Sequence, residues 1–123
     1  MGAVLVVEDD PTTSELIAEL LIDEGYRVLQ TGSGAVGLRL ARQYHPEAVI
    51  LDIMLGEATS GLDVLRELKH TGPTRDIRVV AISGNSRLLE HEAAREADAR
   101  FLKPFALADL LAAINQEHTP APA

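Results

Sequence analysis

The sequence predicts a doubly wound α/β fold, in which helices cover both faces of a parallel β-sheet. Short β-rich runs alternate with helical patterns along the chain, the order expected of β/α units joined by right-handed crossovers. The first, third and fourth of these runs are almost entirely apolar, which is typical of strands buried on both faces. Five strands in a chain of this size favour the flavodoxin-like order 2-1-3-4-5, with five helices. The predicted strands are Val4–Val7, Arg27–Thr31, Ala48–Leu51, Arg78–Ile82 and Ala99–Leu102.

Residues that begin and end helices stand between these strands. Asp10 followed by Pro11 predicts the start of the first helix, and Gly25 predicts its end. Ser33 is a suitable cap for the second helix, which Pro46 ends. The other three helices are predicted from about Leu62 to Thr71, from Ser86 to about Arg95, and along a stripe of Leu107, Leu110, Leu111 and Ile114.

Composition limits the classes of function. The chain has 123 residues, 46% of them hydrophobic, which suits one domain, expected over residues 1–118 and followed by a flexible Pro/Ala-rich tail at 119–123. A formal charge of −8 and a pI near 4.8 argue against direct binding to nucleic acid or to an anionic membrane. The absence of cysteine excludes disulfides, thiol catalysis and cysteine-ligated zinc. The sequence contains no apolar run of membrane-spanning length and no signal-peptide pattern, so we expect a cytoplasmic location.

Charged residues stand where the apolar strands end. Glu8 and Asp9 follow the first strand, Asp52 follows the third, and Lys103 follows the fifth. Charges at the ends of buried strands are costly to maintain, and they therefore usually mark a site. In a parallel sheet of order 2-1-3-4-5 the first and third strands are neighbours, and ligands bind at the carboxyl ends of the strands. We therefore expect these four side chains to form one pocket.

These side chains suit the chemistry of phosphoryl transfer. Crowded carboxylates repel one another, and a hard divalent cation such as Mg²⁺, which prefers oxygen ligands, offsets that repulsion. Lys103 adds a further positive charge, so Asp52 could act as a nucleophile and form an acyl phosphate. Ser83, at the end of the fourth strand, could hydrogen-bond the phosphoryl oxygens, and Gly84 beside it leaves room for the incoming group.

Four sequence segments carry a resemblance to a known family. They are VLVVEDDP at the start, VILDIML around Asp52, VVAISG at the fourth strand and FLKPF at the fifth. In this order and at this spacing they resemble the receiver domain of bacterial two-component response regulators. The resemblance extends from residue 3 to about residue 117.

The resemblance implies Mg²⁺ as the cofactor and a set of ligands for it. Asp9 and Asp52 would bind the ion directly. The backbone carbonyl of Met54 would be the third protein ligand, and Glu8 would act through a water molecule.

The resemblance also implies the phosphoryl chemistry and its partners. Asp52 would be the phosphoacceptor, phosphorylated from a phosphohistidine on a sensor histidine kinase or a histidine phosphotransfer protein. Ser83 would take the switch position, and Lys103 would pair with the phosphoryl group, with a cis bond between Lys103 and Pro104. The face formed by the fourth helix, fifth strand and fifth helix would then switch toward an unknown downstream protein or a homodimer. Because the chain would catalyse only its own phosphorylation and dephosphorylation, we do not expect an enzyme in the usual sense.

Two positions depart from the pattern of the family. Gly56 stands where proline is usual, and the loop before Gly61 is one residue longer, so we expect a more mobile loop. Arg100 stands three residues before Lys103, where receivers usually carry a tyrosine or phenylalanine that turns inward on activation. Because burying arginine is costly, we expect it near the surface, paired with an acidic residue of the fourth helix. Phe101 cannot serve instead, since neighbouring strand residues face opposite sides.

Other interpretations compete with this one. Gly32–Gly37 fits the G-x-G-x-x-G pattern of dinucleotide-binding proteins, but that hypothesis leaves the acids of the first strand and the lysine unexplained. A phosphatase of the haloacid-dehalogenase type would need an acid where Met54 stands. A pseudo-receiver that keeps the fold only for docking is a further alternative, against which the complete set of acids and lysine argues. The four histidines lack metal-binding spacing and are expected at the surface.

Overall fold

One parallel sheet of five strands organises the protein, for which a computed structural model describes residues 2–55 and 60–115. The strands are β1 (Ala3–Val7), β2 (Arg27–Thr31), β3 (Ala48–Asp52), β4 (Arg78–Ser83) and β5 (Ala99–Leu102). They lie in the order β2-β1-β3-β4-β5, and every neighbouring pair is parallel. The predicted doubly wound, flavodoxin-like fold is confirmed. β3 and β4 each run one residue further than predicted and so include Asp52 and Ser83 themselves.

The described part of the chain has five α-helices, four of which connect successive strands while the fifth follows β5. They are α1 (Pro11–Asp23), α2 (Gly34–Tyr44), α3 (Gly61–His70), α4 (Ser86–Glu90) and α5 (Leu107–Asn115), with short 3₁₀ turns at Gly72–Thr74 and Glu92–Glu96. The side chain of Asp10 accepts a hydrogen bond from the Thr13 amide at 3.1 Å, and Ser33 caps α2 through the Val36 amide at 3.2 Å. Both predicted caps are therefore present.

Apolar side chains fill a core on each face of the sheet. Because strand residues alternate between faces, Leu5 and Val7 of β1 pack on one side, and Val4 and Val6 pack on the other. The first side carries α2 and α3, with Leu65 fully buried, whereas the second carries α1 and α5. This two-sided burial explains why the central strands read as continuous apolar runs in the sequence.

The fourth helix is shorter than predicted. The prediction extended it from Ser86 to about Arg95, but the helix ends at Glu90 and is followed by a 3₁₀ turn that begins after His91. His91 adopts an extended backbone, and its Nδ1 accepts a hydrogen bond from the Ala93 amide at 3.1 Å. The segment after His91 packs as a 3₁₀ turn in which Ala94 is fully buried, so the chain turns there instead of continuing α4.

The register aligns the carboxyl ends of β1 and β3. Val7 pairs with Leu51, so Glu8 and Asp52 lie side by side at the ends of neighbouring strands.

The predicted effects of Gly56 and the predicted tail at 119–123 concern residues outside those described. Within 2–55 and 60–115, no helix is long and apolar enough to cross a membrane.

Candidate functional site

Three carboxylates meet at the carboxyl edge of the sheet, as the sequence predicted. Carboxylate oxygens of Glu8, Asp9 and Asp52 all lie within 4.8 Å of one another. Glu8 and Asp52 are only 3% and 4% exposed, whereas Asp9 is open to solvent. The pocket therefore has two acids buried in its interior and one acid that solvent can reach.

Lys103 reaches this cluster from the end of β5, the edge strand of the sheet. Leu102 pairs with Ser83 at the ends of β5 and β4, and the Lys103 amide donates to the Ser83 carbonyl at 2.7 Å. The ammonium Nζ then donates to Glu8 Oε1 and, at 3.1 Å, to Asp52 Oδ2. The bond between Lys103 and Pro104 is cis, as expected. One cation therefore bridges the two buried acids.

The charges of the pocket are not balanced by the lysine alone. The pKa of Glu8 is raised to about 7, first by burial and second by the neighbouring Asp52, while the bonds from Lys103 and from the Asp10 amide act in the opposite direction. Burial by itself would lower the pKa of Lys103, but its bonds to the two carboxylates outweigh burial and raise that pKa. The pocket thus favours an additional positive charge, either a proton or a cation.

The donor set fits a hard divalent cation. Mg²⁺ binds to proteins through one or two carboxylates and retains several waters, which the solvent-exposed side at Asp9 allows. Among the described residues, Glu8, Asp9 and Asp52 are the one group of three potential metal-ligating side chains within this distance. Met54, whose carbonyl was the further predicted ligand, follows closely, and its amide donates to Asp52 Oδ1 at 2.8 Å.

Ser83 and Gly84 lie at the same edge of the sheet. Asp52 pairs with Ile82 of β4, so Ser83 is one residue beyond this partner; it is fully buried. Its Oγ accepts a hydrogen bond from the Asn85 amide at 2.9 Å. At Gly84, a Cβ would meet no atom within 4 Å, so there is open space beside the serine.

Two supporting contacts were not predicted from the sequence. The backbone amide of Asp10 donates to Glu8 Oε2 at 3.2 Å, so the residue that caps α1 also orients an acid of the pocket. At Gly61, the first residue of α3, a Cβ would lie 2.2 Å from the Ile53 Cα and 2.5 Å from the Asp52 carbonyl oxygen. The start of α3 therefore rests directly on the backbone that carries Asp52. Only the presence of glycine at position 61 signalled this in the sequence.

Arg100 lies at the surface, as expected from its charge. It is exposed, and its Nη1 donates to the Leu89 carbonyl of α4 at 2.9 Å. The structure thus pairs it with a backbone carbonyl of the fourth helix and not with an acidic side chain of that helix. Phe101 faces the opposite side of β5, where its ring centroid lies 6.1 Å from that of Phe105. The prediction that Phe101 cannot replace the missing aromatic is supported.

The glycine-rich segment of α2 has a packing explanation. At Gly37 a Cβ would lie 2.8 Å from Val7 Cγ2, so the absence of a side chain lets α2 approach β1. The strand before the segment is β2, at the edge of the sheet.

The three histidines within the described residues are exposed. Two of them are paired with acids: His45 with Asp76, and His70 with Glu96.

Fold and pocket together define a doubly wound α/β protein with an acid–lysine site at the carboxyl edge of its sheet. The profile of the response regulator receiver domain matches residues 4–115, and the chain belongs to this family. Receiver domains are signalling modules that interact with histidine kinases or phosphotransfer proteins, and they are not enzymes in the usual sense.

Relatives and solved structures agree with this assignment. The polar-differentiation response regulator DivK of Brucella ovis is 35% identical over 94 residues, which are 76% of each chain. The response regulator TrrA of Thermotoga maritima, solved in complex with Mg²⁺-BeF, is 28% identical, with a TM-score of 0.86 over 94% of this chain and 98% of TrrA. A Burkholderia pseudomallei response regulator with a phosphorylated aspartic acid, calcium and citrate is 26% identical; its TM-score is 0.79 over 96% of this chain and 70% of the other.

Proposed function

We propose that this chain is the phosphoacceptor of a two-component phosphorelay, with Asp52 as the residue that is phosphorylated. The observation that carries the proposal is the position of Asp52, buried at the end of β3 and bonded to Lys103, with Glu8 and Asp9 beside it. A carboxylate oxygen of Asp52 attacks the phosphorus of a phosphohistidine and forms an acyl phosphate. The N–P bond breaks with its electron pair going to nitrogen, and because the phosphohistidine ring is protonated on its other nitrogen, the partner's histidine is released as neutral imidazole.

The neighbouring side chains have distinct roles in this transfer. Lys103, already bonded to Asp52, pairs with the phosphoryl oxygens as negative charge moves onto the acid. The hydroxyl of Ser83 donates to the same group, and the open space at Gly84 admits it. Positioning and charge neutralisation therefore account for most of the catalysis.

We assign the Mg²⁺ site to the same acids. Asp9, Asp52 and the Met54 carbonyl would hold the ion directly, and Glu8 would do so through water. When bound, Mg²⁺ neutralises charge on the carboxylates and on the incoming phosphoryl group. The presence of Mg²⁺ in the TrrA structure and of a phosphorylated aspartic acid in the Burkholderia structure supports the assignment.

The phosphodonor is a sensor histidine kinase or a histidine phosphotransfer protein in the cytoplasm. The face formed by α4, β5 and α5 transmits the signal to a downstream protein or to a second copy of the chain. The alternative of a docking-only pseudo-receiver predicts the same fold but no phosphorylation. The two functions therefore differ in a single measurable property, the chemistry at Asp52.

Treatment with acetyl phosphate and Mg²⁺ tests this function. We expect one phosphoryl group per chain by intact mass, placed on Asp52 by peptide mapping after reductive trapping of the acyl phosphate. Asp52→Asn should remove the signal, because an amide is not a nucleophile at this site. Asp23→Asn is the matched control: this exposed aspartate ends α1 and lies outside the cluster, so the variant should be phosphorylated like wild type. If the wild-type protein is not modified at Asp52, the proposed phosphoacceptor function is wrong, and the docking-only pseudo-receiver is the alternative that remains.

Mg²⁺ affinity should rise with pH near neutrality. A proton on Glu8 competes with the cation, and the pKa of Glu8 is about 7, so affinity should fall as the pH drops through that value. Calorimetric titration between about pH 6 and pH 8 should show a change approaching tenfold per pH unit on the acidic side. Glu8→Gln removes the titrating group and should flatten the profile. A wild-type affinity that is constant over this range contradicts the prediction.

A further inference from the structure

The side chain of Arg100 caps the C-terminal end of α4. Leu89 is the penultimate residue of that helix, and its carbonyl, which accepts from Arg100 Nη1 at 2.9 Å, is among those that lack a partner within the helix. A positive guanidinium is also favourable at a helix C-terminus. On β5 the side chains alternate, so Arg100 faces α4 while Phe101 packs on the other side of the sheet.

Polar contacts at both ends, together with the partial burial of Leu88 and Leu89 against the core, hold α4 in place. The helix has five residues, none of them fully buried, and a helix of this length is not stable alone. At its N-terminus the Asn85 side chain accepts from the Arg87 amide at 2.9 Å, and the Asn85 amide in turn donates to Ser83 Oγ at 2.9 Å. One end of α4 is therefore attached to a side chain of the pocket, and the other end is attached to β5.

We propose that Arg100 is a positioning residue that fixes the C-terminal end of α4, so that a change at Ser83 is transmitted as a change in the attachment of α4. The identity of the group that engages Ser83 rests on the proposed function. When the Ser83 hydroxyl turns toward a phosphoryl group, its bond with the Asn85 amide changes while Arg100 still holds the Leu89 carbonyl. The helix then pivots about its C-terminal end, which Arg100 holds. This movement requires no buried aromatic side chain.

Hydrogen–deuterium exchange of α4 tests the role of Arg100. Arg100→Met keeps the aliphatic stem and removes the donors, and Arg39→Met, an exposed arginine of α2, is the matched control. In the metal-free protein, amides of residues 86–91 should exchange on the order of fivefold faster in Arg100→Met than in wild type or Arg39→Met. Equal exchange in all three proteins overturns the proposal.

Addition of Mg²⁺ and BeF₃⁻, a phosphoryl mimic, tests the transmission step. We expect the ligand to alter exchange of α4 in wild type and to alter it by less than about half as much in Arg100→Met. Binding of BeF₃⁻ itself, followed by ¹⁹F NMR, should stay within about twofold, because Arg100 contacts α4 and not the pocket. An equal response of α4 in the two proteins overturns the proposal. If wild type does not bind BeF₃⁻, the proposed function fails, whereas the metal-free comparison still decides whether Arg100 holds α4.

Discussion

Replacing Gly61 with alanine should destabilise the protein by about 3 kcal/mol, near the upper end of overpacking effects. The added Cβ would lie 2.2 Å from the Ile53 Cα and 2.5 Å from the Asp52 carbonyl oxygen. Both contacts are with backbone, so no rotamer change relieves them, and either α3 or the end of β3 must move. Thermal unfolding should show a loss of roughly 10 °C. Because the displaced backbone carries Asp52, phosphorylation by acetyl phosphate should slow as well.

Gly72→Ala provides the matched control for this prediction. Gly72 lies in the 3₁₀ turn after α3, and a Cβ there would meet no atom within 4 Å. The free energy of unfolding should change by no more than about 1 kcal/mol, because alanine restricts the unfolded chain and meets no atom in the folded protein. Similar melting temperatures for the two variants would show that the close contact at Gly61 is relieved at little cost.

Replacing Lys103 with methionine should remove phosphorylation and make stability depend more steeply on pH. The lysine bridges Glu8 and Asp52, so its loss leaves two buried acids without their cation. The pKa of Glu8 is already raised by burial, and the bond from Lys103 is the larger of the two contacts that lower it, so the variant should raise it further. Acetyl phosphate should then give little or no acyl phosphate, because no ammonium pairs with the incoming group.

The sign of the pH effect follows from the raised pKa of the acid. The folded state holds the Glu8 proton more tightly than the unfolded state, so stability falls as the pH rises from the ordinary carboxyl pKa through about 7. In Lys103→Met the loss of stability should be on the order of 2 kcal/mol at about pH 8 and smaller at about pH 6, where a proton replaces the cation. Urea unfolding without Mg²⁺ at the two pH values measures the difference.

Lys69→Met separates this effect from the general loss of an ion pair. Lys69 is the other lysine of the chain, and its Nζ bonds Asp98 at 2.7 Å and the Ile77 carbonyl at 2.8 Å, away from the pocket. Its replacement should lower stability by similar amounts at both pH values and leave phosphorylation in place. If Lys103→Met behaves in the same way, Lys103 acts only as a structural cation.

Sequence patterns predicted the strands and the members of the pocket because both depend on local signals, and the order of the strands followed from the topology favoured by a five-stranded parallel sheet. Apolar runs identify strands buried on both faces, and Asp10 and Ser33 mark helix starts through hydrogen bonds within four residues. Once the strand order is known, the residue after each strand is placed at the carboxyl edge. Asp52 and Lys103 could therefore be assigned to one site from the sequence.

Contacts between distant segments could not be predicted in the same way. The approach of Gly61 to the β3 backbone depends on how α3 packs, and the partner of Arg100 depends on where α4 ends. The helix was predicted too long because its sequence continues in a helical pattern beyond Glu90, whereas in the fold the backbone of His91 leaves the helical conformation and the next residues pack as a 3₁₀ turn with Ala94 buried. The raised pKa of Glu8 likewise arises from burial in the folded chain.

The bridge from Lys103 to Glu8 joins residues 95 positions apart, and the bridge to Asp52 joins residues 51 positions apart. Contacts of such separation close large loops, and they form only when the last strand has docked on the sheet. A chain that has folded only its first three β/α units would hold the acids without their lysine. If Asp52 is the phosphoacceptor we propose, such a chain would lack the ammonium that pairs with the incoming group, so phosphorylation would require the complete sheet.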